Sequence, residues 1–152
     1  MTLLRFPREI GLKRALVNKR HSYKNYVNKM RHKTSCYTSL YSFSKLNGEG
    51  RADYRYAIID RAWWDFDAGE RGGIEQVKLD VAKLINRLDG DVRVVATGRG
   101  FHVHQLFNTP VTGQEYRLPL EHYQRRMAKG LVTLDGVGFP EKMTRIPSTY
   151  NP

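Results

Sequence analysis

Asp65-Phe66-Asp67 closes an apolar run of this chain, and Thr97-Gly98-Arg99-Gly100-Phe101-His102-Val103-His104 follows downstream. In an extended strand, residues two apart share a face. Asp65 and Asp67 therefore present paired carboxylates, and His102 and His104 paired imidazoles. Carboxylate pairs bind Mg²⁺ or Mn²⁺, hard cations that keep waters and take substrate phosphates as further ligands. That is the raw material of two-metal phosphoryl chemistry. Carboxylates beside Ile58, Ile59, Trp63 and Trp64 need partners, because unpaired buried charge is costly. A divalent cation is one such partner; a strand end that faces water is the other reading. The turn Thr97-Gly98-Arg99-Gly100 offers backbone N–H groups, a hydroxyl and a planar guanidinium, the groups that grip phosphate. It is equally the composition of an ordinary hairpin turn with an exposed arginine. His102 emerges two residues past that turn, beside Arg99, and suits a phosphate contact. His104 shares its face and sits deeper. Asp135, before Gly136, is a third acid or simply a turn residue. Lys142 and Arg145, taken alone, are surface charge.

These groups need elements to hold them. The spacing predicts helices over residues 8–18 and 22–33, with Ser22 as the N-cap of the second. Tyr23, Tyr26 and Arg31 on that second helix either lie along a nucleic-acid backbone or, for the two tyrosines, pack on its amphipathic face. Alternation predicts a strand over 36–43 and a turn over 47–50. A second strand follows over 56–66. Residues 74–88 read as a helix with Val77, Val81, Leu84, Ile85 and Leu88 inward. Residues 92–96 and 101–107 then form a hairpin across 97–100. Residues 109–119 read as loop, 120–129 as helix, and 131–152 as short strands among Gly and Pro turns. This order favours an α+β fold, a sheet covered by helices on one side, with chemistry where strand ends converge. No internal repeat or low-complexity tract is present.

With 152 residues, 40% of them hydrophobic, the chain reads as one domain able to bury a core. The net charge is +11, unevenly placed. Residues 1–33 hold ten Lys/Arg and one acid, Glu9; residues 34–152 hold sixteen Lys/Arg and fourteen acids. Such a block suits a polyanion. Nucleic acid fits better than a membrane, because no amphipathic lipid-binding pattern accompanies it; a solvated arm without a partner is the other reading. No apolar run approaches the roughly 20 residues of a membrane span. The N-terminus is charged but lacks an uninterrupted apolar core, so no targeting segment is read. Cys36 is the sole cysteine, which excludes an internal disulfide and a cysteine-rich zinc site and points to an intracellular, cytoplasmic chain.

Taken in order, these blocks resemble the archaeo-eukaryotic primase superfamily, which includes archaeal primase small subunits and plasmid or viral primase-polymerases. Asp65-Phe66-Asp67 is similar to its first motif, a D-x-D at a strand end. Thr97-Gly98-Arg99-Gly100-Phe101-His102 is similar to its second. Asp135 followed by Arg145-Ile146-Pro147-Ser148-Thr149-Tyr150-Asn151 is similar to its third. The stretch Tyr37-Thr38-Ser39-Leu40-Tyr41-Ser42 looks like the family's strand just upstream of the first motif. The likeness spans roughly residues 34–152. It departs in Thr97 where Ser is usual, in a single arginine in the second motif, in an Asp135 that stands slightly close to Arg145, and in Asn151 where His is common.

The resemblance implies a primase-polymerase catalytic core with an RRM-like mixed or antiparallel sheet flanked by helices. Residues 1–152 would be one domain, with a basic helical segment over 1–33 and the catalytic core over 34–152. It implies that Asp65, Asp67 and Asp135 hold two Mg²⁺ or Mn²⁺ ions, and that Thr97, Gly98, Arg99, His102, Lys142 and Arg145 bind the NTP or dNTP. A 3′-hydroxyl would attack the α-phosphate in line and release pyrophosphate. Lys24, Lys29, Arg31, Lys33 and Lys45 would track a single-stranded DNA template. A replicative helicase or primase large subunit is an implied partner, a virus or plasmid an implied source, and no structural zinc is expected.

Two other classes compete. In a replication-initiator or relaxase endonuclease, His102-Val103-His104 would bind one metal and Tyr116 or Tyr123 would attack DNA phosphate. That leaves Asp65-Phe66-Asp67 and Arg145-Ile146-Pro147 unexplained. A non-enzymatic basic module with aromatics stacked on bases explains the charge but not three spaced acids.

Overall fold

The computed structural model describes residues 4–69 and 72–147. Within them the chain runs β1 (Arg8–Ile10), β2 (Ala15–Val17), α1 (Arg20–Met30), β3 (Tyr37–Ser39), β4 (Ser42–Phe43), β5 (Ala57–Asp67) and α2 (Gly73–Arg87). It continues through β6 (Asp91–Ala96), β7 (Gly100–Thr112), α3 (Arg117–Met127), β8 (Leu134–Val137) and β9 (Met143–Arg145). This is an α+β fold with antiparallel strand pairs. It divides into two compact units, one of residues 1–59, 111–114 and 140–152, the other of residues 60–110 and 115–139.

In the first unit, a sheet of order β2-β1-β3-β9 packs against α1. Tyr23 of the helix is buried with Ile10, Val17, Cys36 and Ile146, and Tyr26, Val27 and Met30 pack around them. The two tyrosines of α1 are thus packing residues. Residues 8–18, expected as a helix, are instead the β1–β2 hairpin, paired Arg8↔Val17, Glu9↔Leu16 and Ile10↔Ala15. The connection decides it. Gly11 and Arg14 take positive φ of 69° and 56°, which no right-handed helix admits, and Arg14 N–H donates to Gly11 O at 3.0 Å. The buried Glu9 carboxylate accepts from Tyr54 Oη and Arg14 Nη1.

Ser22 lies inside α1 rather than capping it; the helix starts at Arg20, after an extended Lys19. The expected strand over 36–43 is cut in two. Ser39 Oγ donates to Tyr41 O and accepts from Glu9 N–H, turning the chain so that β3 pairs with β9 while β4 pairs with the first residues of β5.

The second unit is built on the rest of β5, with β7 and then β6 on one side and β8 on the other. The β6–β7 hairpin runs in continuous register from Asp91↔Leu106 to Ala96↔Phe101. α2 buries Val77, Asp80, Val81 and Leu84. α3 covers the face of β5 that bears Trp64, whose Nε1–H donates to Gln124 O at 2.8 Å. Residues 109–119, expected as loop, are the end of β7, a short 3₁₀ turn and the start of α3. Both prolines fit there. Pro110 lies beyond the residues of β7 that pair with β6, where no ladder donor is needed. Pro119 is in the first turn of α3, where N–H groups have no intrahelical partner.

Candidate active site

The two-residue repeat of β5 puts Arg61, Trp63, Asp65 and Asp67 on the face opposite Trp64. Asp65 and Asp67 are partly exposed, at 22% and 36% of their side-chain surface. His102, on neighbouring β7, stands with Nε2 3.5 Å from Asp65 Oδ1. Its ring packs on Trp63 with centroids 4.8 Å apart, which fixes the orientation of the imidazole.

Gly100 explains how the two motifs meet. A Cβ on this residue would stand 1.8 Å from Phe66 O and 3.0 Å from Asp67 Cα. Only glycine lets β7 lie flush against the backbone of the acid strand. The turn before it is stitched to the same place: Thr97 N–H donates to Gly100 O, and Ala68 N–H donates to Arg99 O. Gly98 supplies the positive φ of 92° that the turn needs. Arg99 is left reaching into solvent, 73% exposed, with Nη2 3.8 Å from Asp67 Oδ1. The same Asp67 oxygen accepts from Gly69 N–H at 2.8 Å.

Asp135 arrives on the other flank. β8 pairs antiparallel with β5 as Trp64↔Val137, Asp65↔Gly136 and Phe66↔Leu134. The register shift between Asp65 and Phe66 leaves Asp135 as the extra residue of a bulge, with its side chain exposed. The third acid thus rides on a strand hydrogen-bonded to the one that carries the first two. Just before it, Thr133 O accepts the Asp67 N–H at 3.2 Å.

Three carboxylates are the donor set of a hard divalent cation, and Mg²⁺ sites characteristically use one or two carboxylates and complete their shell with water and substrate phosphate. Among the described residues, no three His, Cys, Asp or Glu side chains form a group that could hold a metal ion. The pair Asp65 and Asp67 has the chemistry of an open site, which uses one or two carboxylates and completes its shell with water and phosphate.

His104 belongs to a different cluster. Its Nδ1 is 3.4 Å from Arg61 Nη1, and Arg61 in turn clasps Asp60 with Nε and Nη2. Burial, then the charge of Arg61 and the proximity of His102, push the His104 imidazole down to about 3. A guanidinium at this nitrogen opposes a metal bridging the two histidines. Tyr123 lies on the Trp64 face of the sheet, its ring 6.4 Å from Trp64 and its hydroxyl donating to Gln105 Oε1 at 2.6 Å. It is therefore not beside the histidine pair. Tyr116 ends the 3₁₀ turn ahead of α3.

The second unit thus brings together Asp65, Asp67, Thr97, Gly98, Arg99 and His102, and carries Asp135 on the adjoining strand β8. The other expected residues belong to the first unit. Lys24, Lys29 and Lys33 are exposed and Arg31 half-buried. Lys45 holds its Nζ 4.5 Å from the centre of the Tyr56 ring. Arg145 pairs with Tyr37 in the β3–β9 ladder, and the Lys142 carbonyl accepts from Leu40 N–H. Ser148, Thr149, Tyr150 and Asn151 of the third motif lie outside the described residues. Charge divides along the same line. The first unit carries fifteen Lys/Arg against four Asp/Glu, the whole net charge of +11, and the second carries eleven of each.

Sequence reading missed Asp60, Arg61, Asp80 and Gln124. Only Asp80 left a signal: it falls on the apolar face of α2, between Val77 and Leu84, where a charge needs a reason. No helix among the described residues is long and apolar enough to cross a membrane. No protein-family model, no curated protein and no solved structure matches the chain.

Proposed function

We propose that the chain is a nucleotidyltransferase with a primase-polymerase catalytic core, joining NTPs or dNTPs on a single-stranded DNA template. What supports this is the seam at Gly100, which makes the acid pair and the arginine-bearing turn one assembly, with His102 against Asp65. Asp65, Asp67 and Asp135 would hold Mg²⁺ or Mn²⁺, which when bound neutralises the phosphates and eases departure of pyrophosphate. The chain's own groups do the rest. The Arg99 fork, the Thr97 hydroxyl and the turn's N–H groups receive triphosphate oxygens. Trp63 and Asp65 hold the His102 ring in one orientation, so that it adds a directed contact to the same phosphates. Orienting an incoming triphosphate against a 3′-hydroxyl is the larger part of such catalysis. The basic first unit would hold the template through its backbone charge, releasing counterions.

The test is incorporation of labelled NTPs and dNTPs on single-stranded DNA with Mg²⁺ or Mn²⁺. The wild-type chain should extend or initiate strands. Asp67→Ala should cut the rate by roughly a hundredfold or more, with single-strand affinity within about twofold. A wild-type chain that incorporates nothing, or an Asp67→Ala chain as fast as wild type, would overturn the assignment.

A further inference from the structure

Asp80 is nearly sealed, 1% exposed, in the middle of α2. Both of its oxygens are used. Oδ2 accepts from Thr133 N–H at 2.9 Å and from Thr133 Oγ1 at 2.6 Å; Oδ1 accepts from Gln76 Nε2 at 2.9 Å. Burial alone would raise this carboxyl. The Thr133 and Gln76 donors and the charge of Lys83 overcome that and hold it below the usual carboxylate range, so it is ionised at neutral pH. Thr133 is itself buried, and its carbonyl accepts the N–H of Asp67. Hydrogen bonds thus run from α2 through Thr133 to the backbone of one acid, and Thr133 lies two residues before another, Asp135.

A carboxylate on the Val77–Val81–Leu84 face is a costly way to gain stability, because a packed apolar residue there does as well or better. What it gains is position. β8 is only four residues long and changes register opposite Asp65 and Phe66, so ladder hydrogen bonds alone define its placement weakly. We infer that Asp80 is a positioning residue for the acid site: through Thr133 it sets where β8 holds Asp135 relative to Asp65 and Asp67. This rests on the proposed role of those three acids.

The test uses the full chain and Mn²⁺ alone, titrated by calorimetry, with single-stranded DNA affinity measured in parallel. Thr133→Ser keeps the hydroxyl; Thr133→Val removes it at nearly the same size; Asp80→Asn removes the charge. Thr133→Ser should bind Mn²⁺ within about twofold of wild type. Thr133→Val and Asp80→Asn should bind it about tenfold more weakly or worse, the usual effect of losing an outer-shell partner, with DNA affinity unchanged. Should Asp80→Asn not fold, Thr133→Val against Thr133→Ser decides. Equal Mn²⁺ affinity in all variants would overturn the role of Asp80 alone. Parallel loss of Mn²⁺ and DNA binding in Thr133→Val would mark a merely structural contact and overturn it too. A wild-type chain whose Mn²⁺ binding is absent, or survives Asp67→Ala, would overturn the acid site itself and this inference with it.

Discussion

His104 sits between Arg61 and His102 with 8% of its surface exposed, and burial first, then these two neighbours, holds its imidazole near 3. In the unfolded chain a histidine takes up its proton near 6.5. Between those values the unfolded state binds a proton that the folded state refuses, so stability rises with pH across the window. The contribution is fully present above about 6.5 and is lost as pH falls toward 3, at up to about 1.4 kcal/mol per pH unit for one proton. Denaturant unfolding of wild type and His104→Gln from pH 7 to pH 4.5 checks this. The stability of wild type relative to the variant should fall steadily with pH; a constant difference would refute it. The candidate site was legible at this scale where a two-residue repeat carried it, as for Asp65 with Asp67 and His102 with His104, and where a glycine turn did, as for Arg99. Arg61 and Asp60 were not, because strand neighbours nominally point to opposite faces, and only the fold shows the guanidinium bending back onto the preceding carboxylate.

Gln124 of α3 ties β5 to Gly138, the residue that follows β8. Its Oε1 accepts from Trp63 N–H and Gly138 N–H, and its Nε2 donates to Gly138 O. The side chain is fully buried. Gln124→Leu takes these partners from Trp63 N–H and Gly138 O, each worth about 1–3 kcal/mol, while Gly138 N–H keeps its bond to Trp63 O. We expect roughly 2–4 kcal/mol of lost stability by denaturant unfolding; a loss below about 1 kcal/mol would show that the strands do not depend on this bridge. Elements were legible in proportion to how far their own pattern decided them. α2 and the β6–β7 hairpin announce themselves, the first by its apolar stripe and the second by alternation about a glycine turn. The β1–β2 hairpin does not. Its pairing rests on a left-handed Arg14 and a buried Glu9 satisfied by Tyr54, a residue far along the chain. Neither can be read locally.

At the scale of the whole chain, the excess charge and the acids belong to different units. Single-strand binding should therefore fall steeply with salt, and the slope should follow the first unit. Replacing Lys24, Lys29 and Lys33 together by Ala should lower the slope of log K against log salt by up to about 2, near 0.7 for each phosphate no longer neutralised. Asp67→Ala should leave that slope as it is. A triple variant with the wild-type slope would place the polyanion elsewhere. Tolerance to change is divided just as sharply. The lysines of α1 are exposed, and a replacement there disturbs no packing. Position 100 allows no such replacement, since the first atom of any replacement side chain would collide with a carbonyl oxygen of the neighbouring strand. Any variant that keeps β7 seated against β5 must keep that one bare spot.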